Sequence, residues 1–262
     1  MSLVITKPDF QRKCKALIYG PSGQGKTVFL GTAQQDERTA PMLLISFEGG
    51  TSSLAGLDID IAQVHSWSDH NDIFSFLRKP NKYKSIGVDS LSESHFLALL
   101  LTAQKRSGGD GDVPSDDFLA PEKVKEDPDY IEMGDYGRAR VQILRLMRLY
   151  RDLPLHVFFT ALSMEDRDVR EGLIKKPYVA GKLSDEVLGI PDIVAYMAVE
   201  TSTQKEVQTS KRILLLQNYP KIRCKVRTPW KVTIPNEIEN PTVSSLLDVL
   251  QIQTEGNINA QA

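Results

Sequence analysis

At 262 residues, with 41% hydrophobic and 25% charged residues, the chain has the make-up of an ordinary soluble globular protein, long enough for one α/β domain with insertions. A net charge of −2 excludes a polycation, so any nucleic-acid binding has to come from local basic patches. No apolar run approaches the roughly 20 residues that cross a bilayer. Lys7, Asp9, Arg12 and Lys13 interrupt any N-terminal leader pattern, so a cytoplasmic protein with no membrane partner is expected. Cys14 and Cys224 both fall in strand-like segments and read as reduced core thiols.

In chain order, residues 14–19 read as a short buried strand and residues 27–33 as a helix. Between them stands Gly20-Pro21-Ser22-Gly23-Gln24-Gly25-Lys26-Thr27, which matches G-x-x-x-x-G-K-[ST] at every fixed position. Glycines at these points let successive backbone N–H groups turn inward as a nest for phosphate. Lys26 supplies a mobile positive charge for the β/γ-phosphates and the Thr27 hydroxyl a ligand for Mg2+. Further strands are expected at residues 42–47, 59–64, 83–89, 156–161, 193–199 and 212–216, and helices at 69–77, 91–105 and 136–152. Strands alternating with helices predict an α/β fold with a mostly parallel central sheet flanked by helices. Residues 106–132 and 163–189 read as long irregular segments, which inside a compact domain are usually functional. The domain is expected to run over residues 1–252, with 253–262 as a flexible polar tail.

A phosphate loop needs a second carboxylate for the metal at the end of a neighbouring strand. Asp89 ends the apolar run Ile86-Gly87-Val88 and fits that place. Hydrolysis also needs a group that activates water. Ser90 stands where many such enzymes carry a carboxylate, which points instead to Glu48 at the end of residues 42–47, before Gly49-Gly50. Glu93 is the alternative. Residues 222–230 read as a strand that puts Lys225 and Arg227 on one face, either as a solvated basic face or as part of a site.

Gly20 to Thr27, Glu48-Gly49, Asp89-Ser90 and Lys225-Val226-Arg227, in this order, resemble the RecA core ATPases. Within that family the chain is most similar to short bacteriophage RecA-like proteins of the single-strand annealing and recombination type, often described as phage AAA-family ATP-binding proteins. Supporting stretches are Phe47-Glu48-Gly49-Gly50-Thr51, Met133-Gly134-Asp135-Tyr136-Gly137 and Leu153-Pro154-Leu155-His156. The resemblance covers residues 15–234. It implies a RecA-like P-loop fold, ATP and Mg2+ as cofactors, and a homo-oligomeric ring or filament in the host cytoplasm. Single-stranded DNA is the implied partner, with a single-strand DNA-binding protein as a further one. By the same resemblance, Glu48 polarises the attacking water, while Lys225 and Arg227 reach the γ-phosphate of the neighbouring subunit. Thr160 and Ser163 take the place of the γ-phosphate sensor, although residues 160–164 hold no Gln or His. The two irregular segments correspond to DNA-facing loops. In the second, Arg167, Arg170, Lys175, Lys176 and Lys182 are the candidate phosphate contacts and Tyr178 a stacking platform.

Three other readings of the same residues stay open. One is a P-loop ATPase for another phage nucleoprotein task, helicase loading or packaging. The others are a monomeric nucleotide kinase, and a nucleotide-gated adaptor in which Glu48 is inert.

Overall fold

The computed structural model describes residues 13–47, 49–106, 130–204, 207–217, 219–228 and 232–252. The chain begins with β1 (Lys15–Gly20), the phosphate loop and α1 (Lys26–Gly31), then β2 (Met42–Ser46) and β3 (Asp60–Gln63). Next come α2 (Trp67–Leu77), β4 (Ser85–Asp89), α3 (Leu91–Arg106) and α4 (Met133–Arg151). The second half adds β5 (His156–Asp168), β6 (Gly172–Pro177), α5 (Leu183–Glu186), β7 (Ile193–Gln204) and β8 (Val207–Leu215). Two residues of β9 (Lys225–Val226), β10 (Glu237–Glu239) and α6 (Val243–Val249) close the described chain.

The strands form one sheet in the order β10-β8-β7-β1-β5-β4-β2-β3, with β6 paired to β5 and β9 to β7. From β7 to β3 the neighbours along this path are parallel, and β8 and β10 add antiparallel strands at one side. This is the α/β P-loop fold expected from the alternating elements. Strand β1 lies between β5 and β7 and every one of its residues is buried, as an apolar strand covered on both faces must be. Its side chains alternate between two cores. Leu17 and Tyr19 join Ile45, Val88, Phe159, Ile143 and Met147 on the side of α2, α3 and α4. Ala16 and Ile18 join Leu30, Leu44, Ala195 and Leu246 on the side of α1 and α6.

Several elements differ from the sequence expectation. Helix α2 starts at Trp67 because Ser66 caps it: the Asp69 carboxylate accepts from the Ser66 N–H at 2.8 Å and the Asp69 N–H donates to the Ser66 hydroxyl at 3.4 Å. Helix α4 starts at Met133 for a related reason, with the Glu132 N–H donating to the buried Asp135 carboxylate at 2.9 Å. Residues 163–177 are not irregular. They form an antiparallel hairpin in which Ser163 faces Pro177 and Asp168 faces Gly172. The described residues 222–228 of the expected strand do not form a long one. Only Lys225 and Val226 pair with β7, opposite Val194 and Ile193, since β8 occupies that flank from Tyr196 onward. Residues 107–129, most of the first expected loop, lie outside the described residues, as does the tail 253–262.

The base of β1 carries a buried lysine. Lys15 Nζ donates to the carbonyls of Leu153 and Leu155 at 2.6 and 2.5 Å. Burial lowers its pKa from 10.5 to about 8, and a neutral amine still has two hydrogens for the two carbonyls. The folded state thus releases this proton more readily than the unfolded chain, so stability gains with rising pH between about 8 and 10.5. Chemical denaturation of wild type and Lys15→Met across that window should show the wild type gaining on the order of 3 kcal/mol relative to the variant.

Candidate nucleotide site

Strand β1 ends at Gly20 because the chain must turn there against the backbone of β7. A Cβ on Gly20 would fall 2.2 Å from the Met197 carbonyl oxygen. Gly25 has φ of 90°, a left-handed conformation open to glycine, and it lies directly before α1. The loop between them is tied down from one side by the Gln24 side chain, whose Oε1 accepts from the Val199 N–H at 2.7 Å. Lys26 is buried and its Nζ donates to the carbonyls of Gly20 at 3.0 Å and Pro21 at 2.8 Å. Pro21, Ser22 and Gly23 remain exposed at the mouth of the loop.

The metal-ligand pair expected from sequence is brought together. The Thr27 hydroxyl donates to Asp89 Oδ2 at 2.7 Å. The other carboxylate oxygen, Oδ1, accepts from the Thr160 hydroxyl, which is fully buried within β5. Thr160 therefore faces the Asp89 carboxylate and not open solvent, and its geometry is that of a positioning group for Asp89. A hydroxyl and a carboxylate beside a phosphate-binding loop form the hard oxygen set that Mg2+ takes together with phosphate oxygens and water. Thr27 and Asp89 would hold the ion, and the ion would neutralise charge on the bound phosphates. Among the described residues no group of three or more His, Cys, Asp or Glu is placed to hold a metal ion by itself.

Glu48 lies outside the described residues. The register places Ser46 of β2 beside Asp89 of β4, and the Phe47 N–H donates to the Asp89 carbonyl at 2.8 Å, so the chain leading to Glu48 runs alongside the site. Glu93 sits in the first turn of α3, its N–H directed to the Ser90 hydroxyl at 3.4 Å.

Lys225 and Arg227 are not brought to the phosphate loop of their own chain. Lys225 Nζ donates to the Leu188 carbonyl, and Arg227 reaches the Gly189 carbonyl at 3.0 Å and Asp192 at 3.4 Å. The Asp192 N–H in turn donates to the Lys15 carbonyl. Arg227 thus lies level with Lys15 at the start of β1, about 16 Å from Gly20 by strand rise, and Lys225 lies level with Leu17, about 10 Å from Gly20. They brace the turn that leads into β7, and burial lowers the Lys225 pKa.

The hairpin residues divide sharply. Arg167 and Arg170 are exposed near its tip, and among the described residues neither guanidinium is ion-paired. Lys176 is corrected as a DNA contact: it is buried, with Nζ 2.5 Å from Asp166 and 3.4 Å from Asp185. Lys175 lies over the Tyr196 ring, 5.6 Å from its centroid. Tyr178 and Lys182 are exposed at the hairpin's return and at the start of α5. Two links from the loop to this hairpin escaped sequence reasoning. The Tyr19 hydroxyl, one residue before Gly20, donates to the carbonyls of Lys175 at 3.0 Å and Arg223 at 2.8 Å. The Ser92 hydroxyl, at the start of α3, donates to the Tyr178 carbonyl and accepts from the Leu162 N–H. The Tyr19 hydroxyl at the end of an apolar run was the available signal for the first; nothing in the sequence around Ser92 marked the second.

A protein family described as an AAA domain matches residues 12–228 of the chain. No curated protein matches it. The matched span takes in the loop, Asp89, both hairpins and β9, and leaves out β10 and α6.

Thr160→Val keeps the side chain's shape and removes its hydroxyl. One hydrogen bond to a carboxylate is worth about 1.5 kcal/mol or more. Titrating Mg2+ against binding of a fluorescent ATP analogue should show the half-saturating Mg2+ concentration rise about tenfold, with little change in Mg2+-free binding. An unaltered Mg2+ requirement would assign Thr160 to packing alone.

Proposed function

We propose, from the premise that this chain belongs to the AAA-domain family of nucleotide-binding ATPases, that it is an oligomeric Mg2+-ATP-dependent enzyme acting on single-stranded DNA. The setting is recombination or annealing of the bacteriophage type. The observation that carries this reading is the position of the phosphate loop. It emerges from β1 between β5 and β7, and both flanking strands run on past it as hairpins. Strand β5 continues six residues beyond Leu162, the partner of Gly20. On that projection the acidic side chains Asp166, Asp168 and Glu171 pair with Lys176 and Arg223. Arg167 and Arg170 are thereby left facing solvent, two charges that a phosphate backbone would neutralise.

ATP would be held by the amides of residues 20–27 and by Lys26, with Mg2+ on Thr27 and Asp89 and Glu48 as the water-activating base. The hydrogen bonds from Tyr19 and Ser92 make the root of the DNA-facing hairpin part of the nucleotide site's own frame. Lys225 and Arg227 would act across a subunit boundary, since their side chains are turned to Leu188, Gly189 and Asp192 and not to their own loop.

A second reading is favoured by the hairpin tip itself. Val169 and Leu173 are apolar and exposed there beside the arginines. That mixture also suits a protein partner, as in a helicase-loading ATPase.

ATP turnover measured with and without single-stranded DNA separates the two readings. Stimulation by the single strand, abolished in Lys26→Ala, is expected. Stimulation only by a protein partner would select the second. For binding itself, replacing Arg167 and Arg170 together by Ala should flatten the slope of log affinity against log salt by about 1.4, roughly 0.7 for each single-strand phosphate contact. Nucleotide affinity should stay unchanged.

The subunit boundary has its own test. Arg227→Ala should bind ATP but turn it over poorly, and mixing it with Lys26→Ala protein should restore part of the activity. Mixed oligomers that stay inactive would leave Arg227 as a brace for the β7 turn alone.

A further inference from the structure

Arg212 stands beside the phosphate loop without a role in any of the chemistry above. It lies on β8 directly opposite Val199 of β7, the residue whose N–H holds Gln24. One rung of the β7–β8 hairpin therefore meets the loop twice, by a backbone hydrogen bond and by an arginine side chain. That side chain lies across Gly25. A Cβ on the glycine would fall 2.5 Å from Arg212 Nε, 3.0 Å from Cδ and 3.2 Å from Cζ. Position 25 needs glycine for its φ, and the exposed arginine side chain takes up the space that the missing Cβ leaves.

The arginine is held in place from behind. The Asn240 N–H donates to the Arg212 carbonyl at 2.7 Å, and the Arg212 N–H is directed to Asn240 Oδ1 at 3.4 Å. The carboxylates closest along the hairpin are engaged by its neighbour: Lys211 Nζ lies 2.6 Å from Glu239 and 3.6 Å from Glu200. Among the described residues no side-chain hydrogen bond or ion pair engages the Arg212 guanidinium. A group that stays charged at any physiological pH, offers a planar fork of donors and lacks an anion is here laid against a loop whose amides bind phosphate.

We propose that Arg212 is a nucleotide contact supplied by the same subunit, a second cation beside Lys26 that binds a phosphate oxygen of the nucleoside di- or triphosphate. The recognised chemistry is the phosphate and not the base, so adenine and guanine nucleotides should feel Arg212 equally. The contact comes from β8, beyond β7 in the sheet. Nucleotide binding would then clamp the loop to the β7–β8 hairpin on one side, as Tyr19 at its root joins it to the β5–β6 hairpin on the other.

The contact rests on the nucleotide-binding reading, so the test carries Lys26→Ala as a separate control. Equilibrium binding of fluorescent ADP and GDP is measured across a salt series for wild type, Lys26→Ala, Arg212→Met and Arg212→Lys. Arg212→Met keeps the length and the apolar cover over Gly25 but removes the charge. Its affinity for both nucleotides should fall about tenfold, the loss of one charge-assisted hydrogen bond, with a shallower salt dependence. Arg212→Lys should recover part of the loss, since it restores the charge without the fork. Wild-type affinity in Arg212→Met would overturn the proposal and leave Arg212 as a cover for the loop. A loss confined to one base would overturn the phosphate assignment. If Arg212→Met unfolds by circular dichroism, Arg212→Lys decides, and wild-type affinity and salt slope in that variant would count against the contact. A wild-type protein that binds neither nucleotide, or a Lys26→Ala protein that binds both normally, would instead strike the nucleotide-binding reading.

Discussion

The Asp89 carboxylate is the point on which the site depends. Its two oxygens take hydroxyls from two different elements, Thr27 at the start of α1 and Thr160 in the middle of β5. A hydrogen bond to a charged group is worth about 1.5–3 kcal/mol, so the pair fixes three segments against one another with an energy comparable to a large part of a domain's stability. Asp89 ends β4, and β4 borders β5, which borders β1. The carboxylate thus closes a circuit that already runs through the sheet. Mg2+ entering between Thr27 and Asp89 would meet a ligand whose second oxygen is already anchored, and an anchored ligand loses little freedom on binding.

The same sheet order determines what surrounds the loop. A central strand flanked by two longer parallel neighbours leaves its own C-terminal turn in a recess between them. Here each neighbour then doubles back as a hairpin. The loop is joined to one hairpin root through Tyr19 and to the other through Gln24. Any ligand that pulls the loop amides inward acts on both roots at once, without a separate lever.

Much of this was legible in the sequence. The loop, the strand before it and Asp89 carry fixed spacings and apolar runs that no other arrangement explains as simply. The β5–β6 hairpin was missed, and β7 and β8 were expected shorter than they are, because strands that leave the sheet bury neither face fully and lose the apolar run that marks a core strand. Residues 163–177 alternate charge with small and apolar side chains and so resemble a loop until their partners are known. Helix α6 was also missed, although Thr242 caps it through Ser245 and Val243, Leu246 and Leu247 form its buried face. Seven residues are too few for a period to stand out. Lys176 misled in the opposite sense: a Lys-Lys pair reads as a basic patch, yet pleating turns one side chain outward and the other into a pocket with Asp166 and Asp185.

Net charge says little about such local arrangements for the same reason. A chain of −2 can still present cations where they count, provided its carboxylates are consumed locally. On the β5–β6 hairpin Lys176 and Arg223 engage Asp166, Asp168 and Glu171, and on the β7–β8 hairpin Lys211 engages Glu200 and Glu239. Each set leaves arginines over: Arg167 and Arg170 near the hairpin tip, Arg212 beside the phosphate loop. Arginine, whose planar fork matches phosphate, is the residue left over on each hairpin, although Arg223 shows that arginine also serves the local pairs. The two hairpins thus repeat one electrostatic arrangement on either side of a single phosphate loop, arginine beside carboxylates that are paired locally.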